Sequence, residues 1–115
     1  MMEISNIGID IINIERFKKK EYAKNKKFYQ KIFSKSEIEY CLEFKNGSEH
    51  FAGKFAIKEA VRKSIKEKIP FNKILTMHEN SKPKIVLKIK LNYEFLVSVS
   101  HEADMAVAIV IALKK

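Results

Sequence analysis

The sequence predicts an α+β fold in which helices, clustered in the first half of the chain, pack on an antiparallel sheet. Two observations support this prediction. Residues 48–68 have the composition of one long central helix that Pro70 would end, and the last third of the chain consists of short β-rich stretches separated by turn residues. Because the chain has 115 residues with only 3 Gly and 2 Pro, we expect a single domain over residues 1–115 with one core.

A strand is predicted near the beginning of the chain, where isoleucine alternates with small or polar residues. Successive side chains of a strand point to opposite faces. Ile7, Ile9 and Ile11 would therefore share one face, and Gly8 and Asp10 would share the other.

Shorter helices are predicted between this strand and the long helix. Asn13 would cap a basic helix over residues 14–24, and Asn25 would interrupt it before a second helical stretch over residues 26–32. Residues 34–37, Ser-Lys-Ser-Glu, have the capping-box pattern that opens a helix.

The long helix carries ionisable and apolar residues on several sides, which indicates that it is packed on more than one side. Ala52, Ala56, Glu59 and Lys63 follow one another along one face. The alanines would permit the close approach of a strand or a ligand.

Four strands are predicted after the long helix. Residues 74–78 and 85–91 are separated by the turn-prone residues 79–83. Residues 95–100 alternate, and residues 105–113 are nearly all apolar, with large side chains alternating with alanine. This last strand is predicted to be central and covered on both faces, with a close neighbour on the alanine side.

Positive charge is concentrated in one segment. The formal net charge is +9, and residues 16–31 contain eight basic residues and the single acid Glu21. Such a field attracts an acidic partner, and nucleic acid, anionic lipid, a phosphorylated ligand and an acidic protein all qualify. A solvated lysine-rich helix face fits the same pattern.

Composition excludes several classes of protein. Cys41 is the single cysteine, so an intramolecular disulfide and a multi-cysteine zinc site are excluded, and a reducing, cytoplasmic location is expected. The sequence contains no apolar run near the roughly 20 residues that span a bilayer. The first residues have no basic stretch followed by an apolar one, so no secretory signal is expected.

Asp10 is the first candidate for chemistry. A carboxylate within an isoleucine-rich strand is costly to bury unless it is paired or bound to a metal. A salt-bridged or helix-capping aspartate is the structural alternative.

Glu59 and Lys63 are the second candidates. Their four-residue spacing is also that of an ordinary surface ion pair. If Asp10 lies against the alanine face, however, two carboxylates and one ammonium converge. Such oxygen ligands favour Mg²⁺ over zinc, and Lys63 would suit the phosphates that complete the shell of the ion.

Residues 98–101, Ser-Val-Ser-His, are the third candidate site. Neighbouring serine and histidine are too common to indicate a nucleophile and its base. A phosphate or nucleotide contact by Ser100 or His101 is one interpretation, and a histidine in a turn is the other.

Four stretches, in order along the chain, resemble the bacterial holo-acyl-carrier-protein synthases, the small branch of the phosphopantetheinyl transferases. Residues 55–63, FAIKEAVRK, resemble the F-x-x-K-E-A-x-x-K signature of that family, which is the most specific of the set. The others are IGIDI with the downstream ERF at residues 7–17, FSKSE at residues 33–37, and SVSHE at residues 98–102.

The resemblance implies roles for individual residues. Asp10 and Glu59 would be metal ligands, and both would be catalytic together with Lys63, which would contact coenzyme A phosphate. Lys54, Ser100 and His101 would contact coenzyme A as well. A basic surface would dock the acidic carrier protein, through Arg16, Lys24 and Lys27.

The resemblance also implies a reaction and an assembly. Mg²⁺ would stabilise the 3',5'-ADP leaving group while a carrier serine attacks the β-phosphate of coenzyme A. The base would be Glu59 or a metal-bound water that it orients. Proteins of this family form trimers with active sites between subunits. The implied role lies in fatty acid biosynthesis, with neither nucleic acid nor membrane as a partner.

The sequence departs from the family pattern after Lys63. A glycine usually follows there, whereas Ser64-Ile65-Lys66-Glu67 would continue the helix, and Lys66 would replace a backbone contact to phosphate.

Two further classes fit parts of the sequence. A small basic nucleic-acid-binding module would explain the lysines but leaves Asp10 and Glu59 unexplained, and no aromatic stacking pair accompanies the lysines. A carrier-docking protein that has lost activity would not need the metal-site residues.

Overall fold

The computed structural model describes residues 3–115, and within them it confirms the predicted α+β architecture with a long central helix. The elements, in chain order, are β1 (Glu3–Asn13), α1 (Glu15–Lys18), α2 (Lys26–Ile32), α3 (Lys35–Leu42), α4 (Gly47–Ser64), β2 (Ile74–Glu79), β3 (Lys82–Leu87), β4 (Tyr93–Glu102) and β5 (Met105–Lys114). Short 3₁₀ turns cover Tyr22–Lys24 and Phe71–Lys73. In this part of the chain, no helix is both long enough and apolar enough to cross a membrane.

The main sheet has three antiparallel strands in the order β1-β5-β4, so β5 is central, as predicted. The register places Gly8 opposite Val110 and Asp10 opposite Ala108. Ala106, Ala108 and Ala112 are fully buried on the side where α4 packs against the sheet. The close neighbour that the alanines predicted is therefore this helix.

The opposite face of the sheet is uncovered in the single chain. The prediction that β5 is covered on both faces is therefore wrong for the single chain. Ile7, Ile9 and Ile11 are 53–59% exposed, and Ile109 and Leu96 beside them are also exposed. They share one face, as predicted, but α4 packs on the other face, and the isoleucines are left uncovered.

Gly8 sets the distance between β1 and α4. A Cβ atom at Gly8 would overlap the carbonyl oxygen of Ala60 and lie 3.1 Å from the backbone nitrogen of Ser64. The absence of a side chain thus lets the strand lie directly on the small-residue face of the helix.

The basic region does not form the long helix predicted over residues 14–24. The N-cap residue of α1 is Ile14 and not Asn13, so the predicted cap is wrong, although Asn13 Oδ1 accepts a hydrogen bond of 3.0 Å from the Glu15 N–H just before the helix. The helix ends at Lys18. The carbonyl of Lys20 accepts a hydrogen bond from the Tyr29 hydroxyl instead of a helical N–H. The predicted interruption at Asn25 is confirmed, because α2 begins at Lys26.

The capping box at α3 is confirmed. Ser34 Oγ accepts from the Glu37 N–H at 3.2 Å, and Glu37 Oε1 accepts from the Ser34 N–H at 2.8 Å.

The long helix ends at Ser64, earlier than the predicted end near residue 68. Ile65 is extended, with φ −129° and ψ 156°, and its side chain is buried together with that of Ile69. The chain thus leaves the helix at Ile65, before Pro70. The expectation that residues 64–67 continue the helix is therefore wrong.

The hairpin formed by β2 and β3 has a tighter turn than predicted. Asn80 and Ser81 both have positive φ, 53° and 66°, as a two-residue hairpin turn requires. Residues 82–84 consequently pair with residues 77–79 rather than forming part of the turn, and β3 ends at Leu87 rather than at residue 91.

Candidate active site

Asp10 and Lys63 meet where β1 lies on α4. The Lys63 ammonium donates to Asp10 Oδ1 at 2.9 Å and to the carbonyl oxygen of Ile9 at 3.0 Å. Asp10 reaches the helix because it shares a strand face with Gly8, which allows the close approach. The condition set in the sequence analysis, that Asp10 lies against this face of the long helix, is met for Asp10 and Lys63.

The second oxygen of Asp10 is the unusual atom of this site. Asp10 Oδ2 is buried and has no hydrogen-bond partner within residues 3–115. The Asp10 side chain is 11% exposed, whereas that of Lys63 is 55% exposed. A buried carboxylate oxygen needs a cation or a proton donor, so this atom is a free acceptor beside a half-exposed lysine.

Glu59 lies one helical turn before Lys63 on α4 and is half-buried. Because the Lys63 ammonium pairs with Asp10, the ordinary i, i+4 surface pair with Glu59 is not formed among the described residues. Glu59 therefore forms no ion pair within residues 3–115.

The donor set fits a hard cation held by few protein ligands. Within residues 3–115, no group of three or more His, Cys, Asp or Glu side chains is arranged to hold a metal ion. Mg²⁺ is commonly held by one or two carboxylates together with substrate phosphates and waters. The free oxygen of Asp10 and the neighbouring Glu59 meet that requirement.

A second cluster surrounds Lys54, whose side chain is 5% exposed. Its ammonium donates to the carbonyl and hydroxyl oxygens of Thr76, at 3.2 and 2.9 Å, and burial lowers its pKa. Lys54 borders a cavity of about 50 Å³ that His101 also lines. The contact of Lys54 with coenzyme A stays a prediction. In the structure its ammonium is directed into the protein, toward Thr76.

His101 lies in β4, so its interpretation as a histidine in a turn is wrong. Its Nε2 is 3.2 Å from the carbonyl oxygen of Glu49, and its ring packs on Gly53, where a Cβ would be 2.9 Å from Nε2. Ser100, its neighbour, is exposed. Their predicted contact with coenzyme A stays a prediction.

His50 and His78 line the same cavity as His101, so all three histidines of the chain meet there. Burial lowers the pKa of both His50 and His78, and the charge of Lys54 lowers each further. Sequence reasoning missed this cluster because the three residues come from α4, β2 and β4, which no local pattern connects.

Lys58, inside the family signature, is a structural residue that sequence reasoning also missed. It is 0% exposed and forms an ion pair of 2.8 Å with Glu37. Its ammonium also donates to the carbonyls of Ile32, Phe71 and Ile74. Burial lowers the pKa of Lys58, and Glu37 opposes that effect.

Glu37 joins three elements. Its Oε2 accepts from the Thr76 N–H at 2.8 Å and from the Thr76 hydroxyl at 2.6 Å, while Oε1 caps α3 and pairs with Lys58. Burial alone would raise the pKa of Glu37, and the charge of Lys58 with these hydrogen bonds lowers it below its usual value.

The basic segment, residues 16–31, presents its charges at the surface. Lys24 and Lys27 are exposed, and the guanidinium of Arg16 lies 5.3 Å from the centre of the Phe55 ring. A cavity of about 540 Å³ is lined by Arg16, Phe17, Lys19, Lys20, Asn25 and Phe28. The predicted role of this segment in docking stays a prediction.

Comparison with known proteins identifies the class of protein that this fold and site define. The family model described as the 4'-phosphopantetheinyl transferase superfamily matches residues 6–110. The chain belongs to that superfamily, which confirms the resemblance seen in the sequence.

Within the superfamily, its relatives carry a narrower name. The chain is similar to the holo-[acyl-carrier-protein] synthase of Thermodesulfovibrio yellowstonii, at 36% identity over 94% of this chain and 97% of the relative. It is also similar to the enzyme of that name from Mycoplasma capricolum, at 40% identity over 97% of this chain and 96% of the relative.

Solved structures agree. A holo-(acyl-carrier-protein) synthase from Bacillus anthracis, in complex with CoA (3',5'-ADP), superposes with a TM-score of 0.84 at 29% identity, over 100% of both chains. The Helicobacter pylori holo-[acyl-carrier-protein] synthase, in complex with coenzyme A, has a TM-score of 0.79 at 33% identity, over 92% of this chain and 98% of that one.

Proposed function

We propose that this protein transfers 4'-phosphopantetheine from coenzyme A to a serine of an apo-acyl carrier protein, for fatty acid biosynthesis. The observation that carries the proposal is the Asp10–Lys63 contact, with one Asp10 oxygen free, beside Glu59 of the family signature. The relatives and the coenzyme A complexes support the same reaction. We further propose that residues 1–115 act as one transferase unit, in the cytoplasm.

Mg²⁺ is the proposed metal, with Asp10 and Glu59 as its protein ligands. When bound, it would supply positive charge to the pyrophosphate of coenzyme A and stabilise the leaving group. Lys63 is exposed enough to leave Asp10 and bind a phosphate oxygen. Lys54, Ser100 and His101 are proposed to contact the same substrate.

The proposed reaction forms one bond and breaks another. The serine oxygen attacks the phosphorus that carries pantetheine, and the bond from that phosphorus to the bridging pyrophosphate oxygen breaks. Glu59 accepts the serine proton directly or through a water that it orients. The products are holo-acyl carrier protein and adenosine 3',5'-bisphosphate.

The carrier is proposed to dock on the basic segment, through Arg16, Lys24 and Lys27. Charge reversal at Arg16 or Lys24 should raise the carrier KM, and the increase should depend on salt, because long-range attraction between surface charges is screened. Steady-state kinetics at two ionic strengths measure this. Unchanged carrier kinetics would place the docking surface elsewhere.

The open sheet face supports a homotrimer with active sites between subunits. Ile7, Ile9, Ile11 and Leu96 are each more than half exposed on one face, and a contiguous apolar patch of this kind marks an interaction surface. The proposed occupant is a second copy of this chain. Light scattering should give three times the chain mass, and Ile9→Glu should lower it.

One assay tests the reaction. The protein is incubated with coenzyme A, Mg²⁺ and an apo-acyl carrier protein, and the carrier is weighed by mass spectrometry. The proposal expects the mass gain of one phosphopantetheine, dependent on the metal. No transfer to any acyl carrier protein tried would refute it.

A further inference from the structure

Tyr29 is a buried residue for which the proposed reaction has no use. Its side chain is 1% exposed. Its hydroxyl donates to the carbonyl oxygen of Lys20 at 2.5 Å and lies 3.5 Å from that of Phe17. Both carbonyls belong to the stretch where α1 ends and the chain turns through Lys19 and Lys20.

The ring of Tyr29 is fixed by the core. Its centroid lies 4.7 Å from that of Phe51 and 6.1 Å from that of Phe33, and Tyr22 packs against it edge-on at 5.5 Å. A ring held on several sides has little freedom, so the position of its hydroxyl is set by the core and not by the surface turn that it contacts.

The turn that Tyr29 holds carries part of the basic surface. Arg16, Lys19 and Lys20 line the same cavity, and the Lys20 ammonium lies over the Phe28 ring, 4.1 Å from its centre. Without the hydroxyl, the Lys20 carbonyl would lose the partner that fixes this turn relative to α2.

We propose that Tyr29 is a positioning residue for the docking of the acidic carrier, because it holds the Lys19–Lys20 turn in the geometry that the carrier meets. The inference rests on the proposed docking function. Ordering a surface before binding removes part of the entropy cost of association. Tyr29 therefore acts on carrier binding and has no part in the phosphoryl transfer step.

The test is Tyr29→Phe, with Tyr93→Phe as the matched control. Tyr93 is also largely buried, and its hydroxyl donates to the Glu67 carboxylate at 2.6 Å, so both variants lose one tyrosine hydroxyl that makes a hydrogen bond. Losing the bond should raise the carrier KM in Tyr29→Phe by at most about fivefold to tenfold, because the bond lies within the chain and its energy affects KM only through the order of the turn. The kcat, the KM for coenzyme A and the salt dependence of the carrier KM should stay unchanged, because no charge is removed.

The same variant should exchange the amide hydrogens of residues 18–25 faster than the wild type, while Tyr93→Phe should not. An unchanged carrier KM in Tyr29→Phe, or an equal increase in both variants, would overturn the inference.

Arg16→Glu separates this inference from the docking proposal. If Arg16→Glu raises the carrier KM and Tyr29→Phe does not, only the role of Tyr29 is refuted. If neither variant changes the carrier KM, the docking surface itself is wrong and the role of Tyr29 is refuted with it.

Discussion

Helix α4 carries two lysines, five residues apart, that pair with carboxylates in opposite environments. Lys58 and Glu37 are 0% and 2% exposed, and every carboxylate oxygen and the ammonium have several partners. Lys63 is 55% exposed, and its partner Asp10 keeps one oxygen without a hydrogen bond within the described residues. We call the Lys58–Glu37 pair complete, because each of its charged atoms has hydrogen-bond partners. We call the Lys63–Asp10 pair unfinished, because one carboxylate oxygen has no partner within the described residues.

The difference teaches how one signature can contain both structure and chemistry. A buried pair whose hydrogen bonds are all made holds elements together, and its removal leaves an uncompensated charge. A pair with one exposed partner contributes less to stability than a fully buried pair, and with a free carboxylate oxygen it can exchange its partner for a ligand. The following predictions separate these two roles.

The largest expected effect is on the reaction, at the unfinished pair. Asp10→Asn keeps the size of the side chain but removes the charge that a divalent ion requires. Transfer should fall about a thousandfold, because the metal supplies several kcal/mol of charge stabilisation. Glu59→Gln should behave in the same way.

Transfer rates with saturating carrier measure these losses, and circular dichroism should show that both variants stay folded. A wild-type-like rate in either variant would remove that residue from the metal site.

The next effect is on stability, at the complete pair. Lys58→Met should lower the free energy of unfolding by about 3–5 kcal/mol, because Glu37 would stay buried without its counter-charge. Urea denaturation measures it. A loss below 1 kcal/mol, similar to that expected for an exposed pair, would show that the two pairs do not differ as described.

Lys63→Met is the counterpart on the same helix. The free energy of unfolding should fall by less than in Lys58→Met, because the Lys63 side chain is 55% exposed whereas that of Lys58 is 0% exposed. The kcat/KM for coenzyme A should nevertheless fall about tenfold to a hundredfold, through the loss of a charged hydrogen bond to phosphate. Lys68→Met, at an exposed lysine five residues further along the chain, serves as the control. An equal loss of activity in both variants would show that only the local field matters.

The smallest effect is the response to acid. The pKa of Glu37 is lowered from 4.5, so the stability that Glu37 contributes is present above that pH and is lost as the pH falls through the folded pKa. The pKa values of His50 and His78 are lowered from 6.5, so the unfolded chain binds their protons first and stability also declines as the pH falls below 6.5.

Urea titrations across this pH range should be made for the wild type and Glu37→Gln. In the variant, only the loss of stability at the lower pH, which is attributed to Glu37, should be reduced. If both declines are unchanged in Glu37→Gln, another carboxylate is responsible for the acid response.

Much of this molecule was predictable from local patterns. Strand alternation placed Gly8 and Asp10 on one face, and the capping box located α3, because both signals depend on neighbours in sequence. The end of α4 was not predictable, because the residues after Ser64 contain no helix-stop signal before Pro70.

The candidate site was predictable only in part. The sequence indicated Asp10, Glu59 and Lys63, but it could not show that Lys63 pairs with Asp10 rather than with Glu59, because that choice depends on how closely β1 approaches α4. The structural role of Lys58 was missed for a similar reason. Its partner Glu37 is distant in the sequence, and lysine and glutamate are residue types that are usually exposed.

Gly8 has a consequence for how this site can fail. The residue is a spacer whose only property is the absence of an atom, and it fixes the separation of the strand that carries Asp10 from the helix that carries Glu59. Any larger residue would push the two apart through contact with the Ala60 carbonyl. A single methyl group at residue 8 would thus disable the proposed active site, although every polar residue of the site is unchanged.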